Sequence, residues 1–178
     1  VPETVFPHGY AVLNADDDLV YKMRDGLKCN VALFSMDEKN PRIKKHCAGG
    51  GLAAVFENGF VSIMKGTWKI RVAAVKDIPL TYEGKAVHNI NNTLPAVLAT
   101  YLYRDITIED IRQGLLTFVP SSAQTPGRLN FFHFKNFTFL ADFAHNPHGL
   151  KLLGDFISKL DYKTKIGIIS GTGDRRDE

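Results

Sequence analysis

Residues 129–160 constrain the fold most, because two strand patterns and a helix pattern follow one another around a single polar turn. Residues 129–134 and 137–141 are rich in aromatic and aliphatic side chains and predict two antiparallel strands. Asn146 and Pro147 suit the N-cap and first turn of a helix, whose apolar face carries Leu150, Leu153, Phe156, Ile157 and Leu160. This succession is typical of an α/β protein.

Three polar side chains, Asp142, His145 and Asn146, lie in the turn between the second strand and this helix. α/β proteins place ligands at such turns, because the free N–H groups and the dipole of a helix start favour anions. We therefore expect a phosphate-bearing ligand here. The residue types alone leave simpler roles open, since Asp142 could only cap the helix start and His145 could be a structural turn residue.

The composition of the 178 residues, 44% hydrophobic and 23% charged, is that of a globular protein with one core or parts of two. No apolar run approaches the roughly 18 residues that span a bilayer, so we expect a cytoplasmic protein without a membrane partner. The net charge of +3 is too small to indicate a nucleic-acid partner. Cys29 and Cys47 are expected to be reduced thiols, and no histidine at a zinc-ligand spacing indicates a metal site.

The beginning of the chain predicts alternating strands and turns. Residues 10–14 predict a strand that ends in the acidic turn of residues 15–18, which we expect to be solvated. Residues 22–30 predict a helix and turn, and residues 31–34 predict a second strand. The basic stretch of residues 39–45 is expected to be a solvated loop.

Hairpin patterns follow this region. Residues 53–57 and 60–64 flank Asn58-Gly59, a dipeptide that suits a two-residue turn because both positions tolerate positive φ. Residues 68–75 predict a third strand of the same meander. The glycines at 49–51 lack the Lys-Ser/Thr of a P-loop, so we interpret them as a flexible entry to the hairpin.

Two helices are predicted next, one over residues 93–103 and one that starts at a capping arrangement of Thr107 with Asp110. Residues 88–92, His-Asn-Ile-Asn-Asn, precede the first helix and can hydrogen-bond at its start. Amide side chains can also read a base edge through paired donor and acceptor groups, although capping alone would explain one or two of them.

Residues 119–127 are rich in Pro, Ser and Gly and predict a linker. We therefore place one domain in residues 1–120, a hinge in residues 121–127 and a second domain in residues 128–178. The second domain ends with a predicted strand over residues 165–170 and a Gly-containing turn. Because a sheet of about three strands covered on one face is marginal alone, we expect the chain to be a piece of a longer enzyme.

Five motifs occur in the order and rough spacing of one family, and they are Asn14-Ala15-Asp16-Asp17, His88-Asn89-x-x-Asn92, Pro126-Gly127-Arg128, Asp142-Phe143-Ala144-His145-Asn146-Pro147 and Gly171-x-Gly173-Asp174-Arg175. On these motifs the whole chain resembles the Mur ligases, which are ATP-dependent enzymes that form amide bonds. The resemblance implies an α/β fold made of the end of the central ATPase domain, with strands, a β-meander and two helices, and the start of a Rossmann-like C-terminal domain.

The resemblance also implies nucleotide-binding residues in the first domain and the hinge. His88, Asn89 and Asn92 would border the adenine of ATP. Arg128 would be the catalytic residue that reaches the phosphates, a role suited to the planar fork of donors in a guanidinium.

In the second domain the resemblance implies two strand-end turns that meet ligands. Asp142 would accept from the ribose or help to order the nucleotide, while His145 and Asn146 would line the same turn. Asp174 and Arg175 would face the cleft that takes the amino-acid substrate.

In the family, a carboxylate attacks the γ-phosphate of ATP to give an acyl phosphate, and an amine then displaces phosphate. The motifs are most similar to those of members that join arginine to the side-chain carboxylates of a poly-aspartate primer. The resemblance thus implies ATP, arginine and poly-aspartate as partners, and we expect a homo-oligomer for the full-length protein. A muramyl-peptide or folylpolyglutamate type of ligase, and a non-catalytic nucleotide-binding or assembly module, are alternatives.

The chain departs from the family pattern in several features. Family members carry a Gly-Lys-Thr/Ser P-loop, acidic and histidine ligands for Mg²⁺ and a lysine upstream of the strand at Asn14, and none of these is present. We expect them upstream of residue 1, so the chain alone is expected to be inactive. Phe143 stands where tyrosine is commoner, which keeps the ring and loses a hydroxyl.

Overall fold

The computed structural model describes residues 2–169, and the chain divides between Val119 and Pro120 into two compact units. The first unit is built on a five-stranded sheet with strand order β1-β2-β3-β4-β5. The strands are β1 (Tyr10–Asn14), β2 (Asn30–Ser35), β3 (Leu52–Glu57), β4 (Phe60–Lys65) and β5 (Trp68–Ala74). The first three strands run parallel and the last three form an antiparallel meander, which confirms the predicted α/β class.

Four helices cover both faces of this sheet, namely α1 (Asp18–Lys22), α2 (Pro41–Ala48), α3 (Val87–Tyr101) and α4 (Ile108–Thr117). One apolar core forms between the sheet and α3 and α4, and it contains the fully buried side chains of Ile63, Leu94 and Leu98. A second core lies on the opposite face, where Ile43 and Cys47 of α2 meet Leu33 and Val55. Burying both faces explains why the parallel strands are nearly continuous apolar runs.

The hairpin between β3 and β4 confirms the prediction from Asn58-Gly59. Asn58 has φ +47° and Gly59 has φ +82°, the left-handed values that a two-residue hairpin turn requires. The strand pairing then runs from Glu57 opposite Phe60 to Leu52 opposite Lys65.

The helix predicted over residues 22–30 was placed too late in the chain. α1 begins directly after β1, because the Asp17 carboxylate caps it by accepting from the N–H groups of Leu19 and Val20. Asp16 is exposed but accepts hydrogen bonds from Ser35 Oγ and the Met36 N–H. The acidic turn is therefore at the surface, as expected, and is also an organised connection between β1 and the end of β2.

The prediction of a loop over residues 39–45 is wrong. Asn40 caps α2 through the N–H of Arg42, Pro41 occupies the first turn, and only one stripe of the helix is buried. The glycines at 49–51 end this helix instead of forming a flexible entry, since Gly50 has φ +82° and Gly51 packs against the ring of His46.

The helix predicted over residues 93–103 begins six residues earlier, so residues 88–92 form its first turns and do not precede it. Ile90 lies within the amide-rich segment and is buried in line with Leu94 and Leu98. Because this buried stripe starts before residue 93, the helix also starts earlier than predicted. The predicted capping box of α4 is confirmed, because Thr107 and Asp110 bond reciprocally.

The second unit contains the antiparallel strands β6 (Asn130–His133) and β7 (Thr138–Ala141) and the helix α5 (Pro147–Ser158), as predicted. The ring of Phe156 in α5 is buried against the edge of Phe131. The strand predicted over residues 165–170 is wrong within the described range: residues 165–169 pair with no strand, and Ile166 and Ile168 are 86% and 92% exposed. An apolar pattern alone does not form a strand without a hydrogen-bonding neighbour.

None of the helices found in residues 2–169 combines the length and the hydropathy that crossing a lipid bilayer requires.

Candidate functional site

The amide-rich start of α3 is held by a left-handed turn directly before it. Tyr82, Glu83 and Gly84 have φ values of +51°, +58° and +84°, and two of them are not glycine. Buried Thr81 supports this turn: its hydroxyl lies 2.6 Å from the carbonyl oxygen of Val75 and accepts from the Gly84 N–H at 3.1 Å. Consecutive left-handed residues are unfavourable unless neighbouring contacts impose them. The hydrogen bonds of Thr81 therefore hold this turn, and with it the start of α3, in one conformation.

The three predicted residues of α3 have different surroundings. Asn89 is half-buried and donates from Nδ2 to the carbonyl oxygen of Leu80 at 2.8 Å, which ties the helix to the preceding turn. His88 is half-buried and Asn92 is exposed, and their spacing of four residues puts them on one helix face. His88 and Asn92 therefore lie on one surface of the helix, while the Nδ2 atom of Asn89 is used in a structural hydrogen bond to Leu80.

A loop in the second unit presents Arg128 to solvent. Its neighbours Gly127 and Leu129 both have left-handed backbones, with φ +68° and φ +48°. Leu129 is 3% exposed, whereas the Arg128 side chain is exposed. The backbone on both sides of Arg128 is thus turned so that the leucine is buried while the guanidinium points outward.

The buried side chain of Asn130 holds this loop through hydrogen bonds to its backbone. Asn130 was not among the predicted site residues. It is 5% exposed, and its Oδ1 accepts from the Gly127 N–H at 2.7 Å. Its Nδ2 donates to the carbonyl oxygens of Thr125 at 3.0 Å and Arg128 at 3.3 Å. The amide therefore bonds to the backbone of Arg128 and of two residues before it. The motif Pro-Gly-Arg-Leu-Asn in the sequence indicates a turn but does not reveal these contacts.

The turn after β7 is joined to the same loop by two hydrogen bonds. The Asp142 carboxylate accepts from the Leu129 N–H at 3.0 Å, and the Phe143 N–H donates to the Gly127 carbonyl oxygen at 2.8 Å. The structure therefore brings Asp142 and the backbone of Arg128 into one connected network. Asp142 as a whole residue is half-buried.

His145 and Asn146 lie farther along this turn and make local contacts. The Nδ1 atom of His145 lies 3.0 Å from the Phe143 carbonyl oxygen, and the two rings are 5.3 Å apart. Asn146 caps α5, since its Oδ1 accepts from the Gly149 N–H at 2.7 Å. Both residues are exposed, and the predicted cap at Asn146 is confirmed.

Two predicted site residues, Asp174 and Arg175, lie outside the described residues. Within residues 2–169, no group of three or more His, Cys, Asp and Glu side chains is arranged to hold a metal ion. The described part of the chain therefore does not fit a Mg²⁺ site of its own.

The most strongly perturbed carboxyl group, Glu57, lies in the first unit and outside these segments. Its carboxylate is 1% exposed and accepts from Arg71 Nε at 3.0 Å, Ser62 Oγ at 3.1 Å and Lys69 Nζ at 3.2 Å. The hydrogen bond from Arg71, together with those from Lys69 and Ser62, outweighs burial and lowers the pKa of Glu57 to about 2. Because all its partners come from the same meander and the carboxylate has no open side, this group stabilises the sheet.

No family model matches the chain. It is 46% identical over all 178 residues to cyanophycin synthetase from a Nostoc species, and 46% identical over 177 residues to the one from a Synechocystis species. It spans about a fifth, 20%, of the length of these relatives.

More distant relatives are named as UDP-N-acetylmuramate–L-alanine ligases. The chain is 32% identical over 146 residues to UDP-N-acetylmuramate–L-alanine ligase from Clostridium acetobutylicum, which is 80% of this chain and 28% of that protein. Among solved structures, MurF from Acinetobacter baumannii matches with a TM-score of 0.58 and 19% identity, over 90% of this chain and 31% of that one. This structural likeness shows the fold. The chain is thus Mur-ligase-like in sequence and in fold, and along its whole length it is similar to a segment of cyanophycin synthetase.

Proposed function

We propose that this chain is part of an ATP-dependent ligase of the cyanophycin synthetase type. The observation that carries the proposal is the 46% identity along the entire chain to proteins of that name, across both compact units. We also propose that residues 1–120 are the end of a central ATPase domain, that residues 121–127 are a hinge, and that residues 128–178 are the start of a C-terminal domain.

In this proposal, α3 and the Arg128 loop bind ATP. His88 and Asn92 share a helix face and would border the adenine, with Asn89 supplying the part of its amide that Leu80 does not use. Arg128 would contact the phosphates, because it is exposed and the backbone N–H groups of Gly127 before it and Leu129 after it are both hydrogen-bonded. A planar cation with several donors suits phosphoryl oxygens whose charge grows in the transition state.

The turn after β7 would also contact the nucleotide. One Asp142 oxygen accepts from the Leu129 N–H, and the other would accept from a ribose hydroxyl. His145 and Asn146 would line the same turn from its exposed side. Asp174 and Arg175 are proposed to face the amino-acid substrate on the basis of the family motif alone.

The proposed reaction has two steps. A side-chain carboxylate of a poly-aspartate primer attacks the γ-phosphorus of ATP, the bond to the β–γ bridging oxygen breaks, and ADP leaves with that electron pair. The α-amine of arginine then attacks the acyl carbon, phosphate leaves, and the amine loses a proton to give the amide. Arg128 would offset the negative charge on the transferring oxygens in the first step.

Further parts of the proposal concern the full-length protein. Mg²⁺ would supply additional charge neutralisation when bound, and its ligands would come from residues other than those described here. We place the enzyme in the cytoplasm and propose a homo-oligomer, with ATP, arginine and the primer as its ligands.

The test is an ADP-release assay on the full-length protein with ATP, Mg²⁺ and a poly-aspartate primer, supplied in turn with arginine, lysine and alanine. We expect ADP release with arginine and little with the others. Release that needs UDP-N-acetylmuramate and alanine would favour the muramyl-peptide alternative, which the 32% identity to a UDP-N-acetylmuramate–L-alanine ligase makes the second candidate. Nucleotide binding without any turnover would favour a non-catalytic module.

The same assay decides the role of Arg128. Arg128→Ala should lower kcat about 100-fold, the scale of losing one preorganised donor at a charged transition state. Arg104→Ala is the matched control, because Arg104 is also exposed and lies three residues after the end of α3, at the opposite end of this helix from residues 88–92. Turnover near that of the control would remove Arg128 from the proposed site.

A further inference from the structure

The backbone around Arg128 is unusual on both sides of the residue. Gly127 takes φ +68° without steric cost, but Leu129 takes φ +48°, a value that side chains other than Asn, Asp and Gly rarely adopt. Leu129 nevertheless stays in this conformation with its side chain 3% exposed. Such a conformation persists only when surrounding contacts impose it, so the loop needs a restraint.

The side chain of Asn130 restrains the loop at three points, in addition to the hydrogen bonds from Leu129 to Asp142 and from Phe143 to Gly127. Its amide oxygen accepts from the Gly127 N–H at 2.7 Å, and its amide nitrogen donates to the carbonyl oxygens of Thr125 at 3.0 Å and Arg128 at 3.3 Å. The acceptor and the two donors of one amide group are thus all used within a loop of six residues. At 5% exposure, little competition from water weakens these bonds.

Asparagine is the residue type that this position requires. Aspartate has a similar shape but carries no donor for the two carbonyl oxygens, and an additional charge would be buried. Glutamine has the same amide group on a side chain one methylene longer. The geometry therefore depends on the short amide, and the loop should relax when it is removed.

We propose that Asn130 is a positioning residue for Arg128. The proposal rests on the proposed function, in which Arg128 contacts the phosphates of ATP. In this role Asn130 is buried beneath the loop and touches no ligand. It holds the backbone of residues 125–128, so that the Cα atom from which the Arg128 side chain extends stays in one position. A cation mounted in this way loses less conformational freedom when it meets the transferring phosphate, and a shift of about 1 Å at such a group can cost about 100-fold in rate.

The first measurement is hydrogen exchange on the full-length protein. In Asn130→Ala, the amide of Gly127 should lose protection because its acceptor is gone, and the amide of Arg128, which bonds to Thr125, should follow. Asn136→Ala is the matched control, since Asn136 is exposed in the turn between β6 and β7. Unchanged protection of Gly127 in Asn130→Ala would overturn the proposal.

The second measurement is a double-mutant cycle on kcat/KM for ATP. We expect Asn130→Ala to lower this value between about 10-fold and 100-fold, and the double variant Asn130→Ala/Arg128→Ala to be no slower than Arg128→Ala. That result is specific to positioning. A general loss of folded protein would lower kcat/KM by the same factor whether residue 128 is arginine or alanine. Losses that multiply in the double variant would overturn the role of Asn130.

The outcomes separate this inference from the proposed function. If Arg128→Ala leaves turnover unchanged, the proposed function is wrong in assigning Arg128 to the phosphates, and the role of Asn130 falls with it. If Arg128→Ala is slow and the losses multiply, only the role of Asn130 is wrong.

A second variant covers the case in which Asn130→Ala does not fold. Gly127→Ala leaves the buried amide in place and meets only ordinary contact with Phe143, but its backbone is strained at φ +68°. It should shift the loop and show the same non-additivity with Arg128→Ala. Additive losses would again overturn the positioning role.

Discussion

The Asp142 carboxylate accepts a hydrogen bond from the backbone N–H of Leu129 at 3.0 Å, across thirteen positions of sequence. This contact joins the turn after β7 to the loop that presents Arg128. It gives Asp142 a structural role beside the nucleotide role that the family resemblance implies. One carboxylate oxygen accepts from this N–H, and the proposed nucleotide role would use the other.

The two roles of Asp142 can be separated by substitution. Asp142→Ala removes the acceptor and should reduce the stability of the second unit by about 1.5–3 kcal/mol, the usual range for a hydrogen bond to a charged group. Asp142→Asn keeps an acceptor and should cost less. Hydrogen exchange at the Leu129 amide measures the difference, with the exposed Asp161→Ala as control. Equal protection in the alanine and asparagine variants would contradict this role.

The buried carboxylate of Glu57 should make stability depend on pH. Arg71 and the other donors lower its pKa from 4.5 to about 2, so its contribution is fully present above pH 4.5 and is lost as pH falls toward 2. A shift of this size corresponds to at most about 3 kcal/mol. Urea unfolding followed by the fluorescence of Trp68, the single tryptophan, should therefore show a midpoint that falls steeply below pH 4.5.

Glu57→Gln should flatten that dependence, because no carboxylate remains to be protonated at this site. The variant should also be less stable at pH 7, since Arg71 and Lys69 lose their charged partner. The exposed Glu3→Gln serves as the control and should retain the wild-type profile. The same slope in both variants would mean that other carboxylates dominate acid unfolding.

Gly51 should not tolerate a side chain. A Cβ at this residue would overlap the ring of His46, whose Nε2 lies 3.1 Å from the Leu52 carbonyl oxygen. Gly51→Ala should therefore cost about 1–3 kcal/mol, the usual range for overpacking, measured by urea unfolding.

The Gly51 prediction has an internal control and a rescue. Gly114→Ala, in an open position of α4, should instead be neutral or stabilise by up to about 1 kcal/mol. Adding His46→Ala should recover part of the loss from Gly51→Ala, because it removes the ring that the new methyl group meets. A loss that His46→Ala does not change would have another cause.

Substitutions of Asn89 and Asn92 in α3 should have different effects on stability and on ATP binding. Asn89→Ala removes the bond to Leu80 and should lower stability by about 1 kcal/mol as well as weaken ATP binding. Asn92→Ala changes an exposed side chain and should weaken binding with little effect on stability. Calorimetric binding of ATP to the full-length protein, together with its melting temperature, distinguishes them. An Asn92→Ala variant with unchanged affinity would remove this residue from the site.

The 178-residue chain alone should show no ATP-dependent phosphate release with poly-aspartate and arginine. The physical reason is that it lacks the Gly-Lys-Thr/Ser loop of the family, and its described residues contain no group that could hold Mg²⁺. A coupled phosphate assay beside the full-length protein checks this. Measurable turnover by the chain alone would contradict the assignment of the missing parts to the rest of the enzyme.

Elements with strong local patterns could be predicted from the sequence. The Asn58-Gly59 turn, the Thr107–Asp110 capping box and the Asn146 cap each depend on residues within four positions of one another. Their backbone preferences and hydrogen bonds are satisfied locally, so no distant contact is needed to select them. The β6–β7 pair was predictable for the same reason.

The errors occurred where distant contacts decide the structure. Residues 41–48 contain mostly polar side chains, and they form α2 because Ile43 and Cys47 find a sheet face to cover. Residues 165–169 have an apolar pattern suited to a strand, yet they pair with none among the described residues. Tertiary packing overrode composition in the first case, and a missing neighbour did so in the second.

The sequence by itself determined the α/β class, the local turns and caps, and the motifs that resemble the Mur ligases. Only the tertiary structure decided which groups touch: the amide of Asn130 beneath Arg128, and the carboxylate of Asp142 on the N–H of Leu129. Turns and caps follow from preferences of neighbouring residues, whereas these contacts exist only when segments distant in the sequence pack together and exclude water. The orientation of Arg128 is therefore a property of the folded unit and not of its own motif.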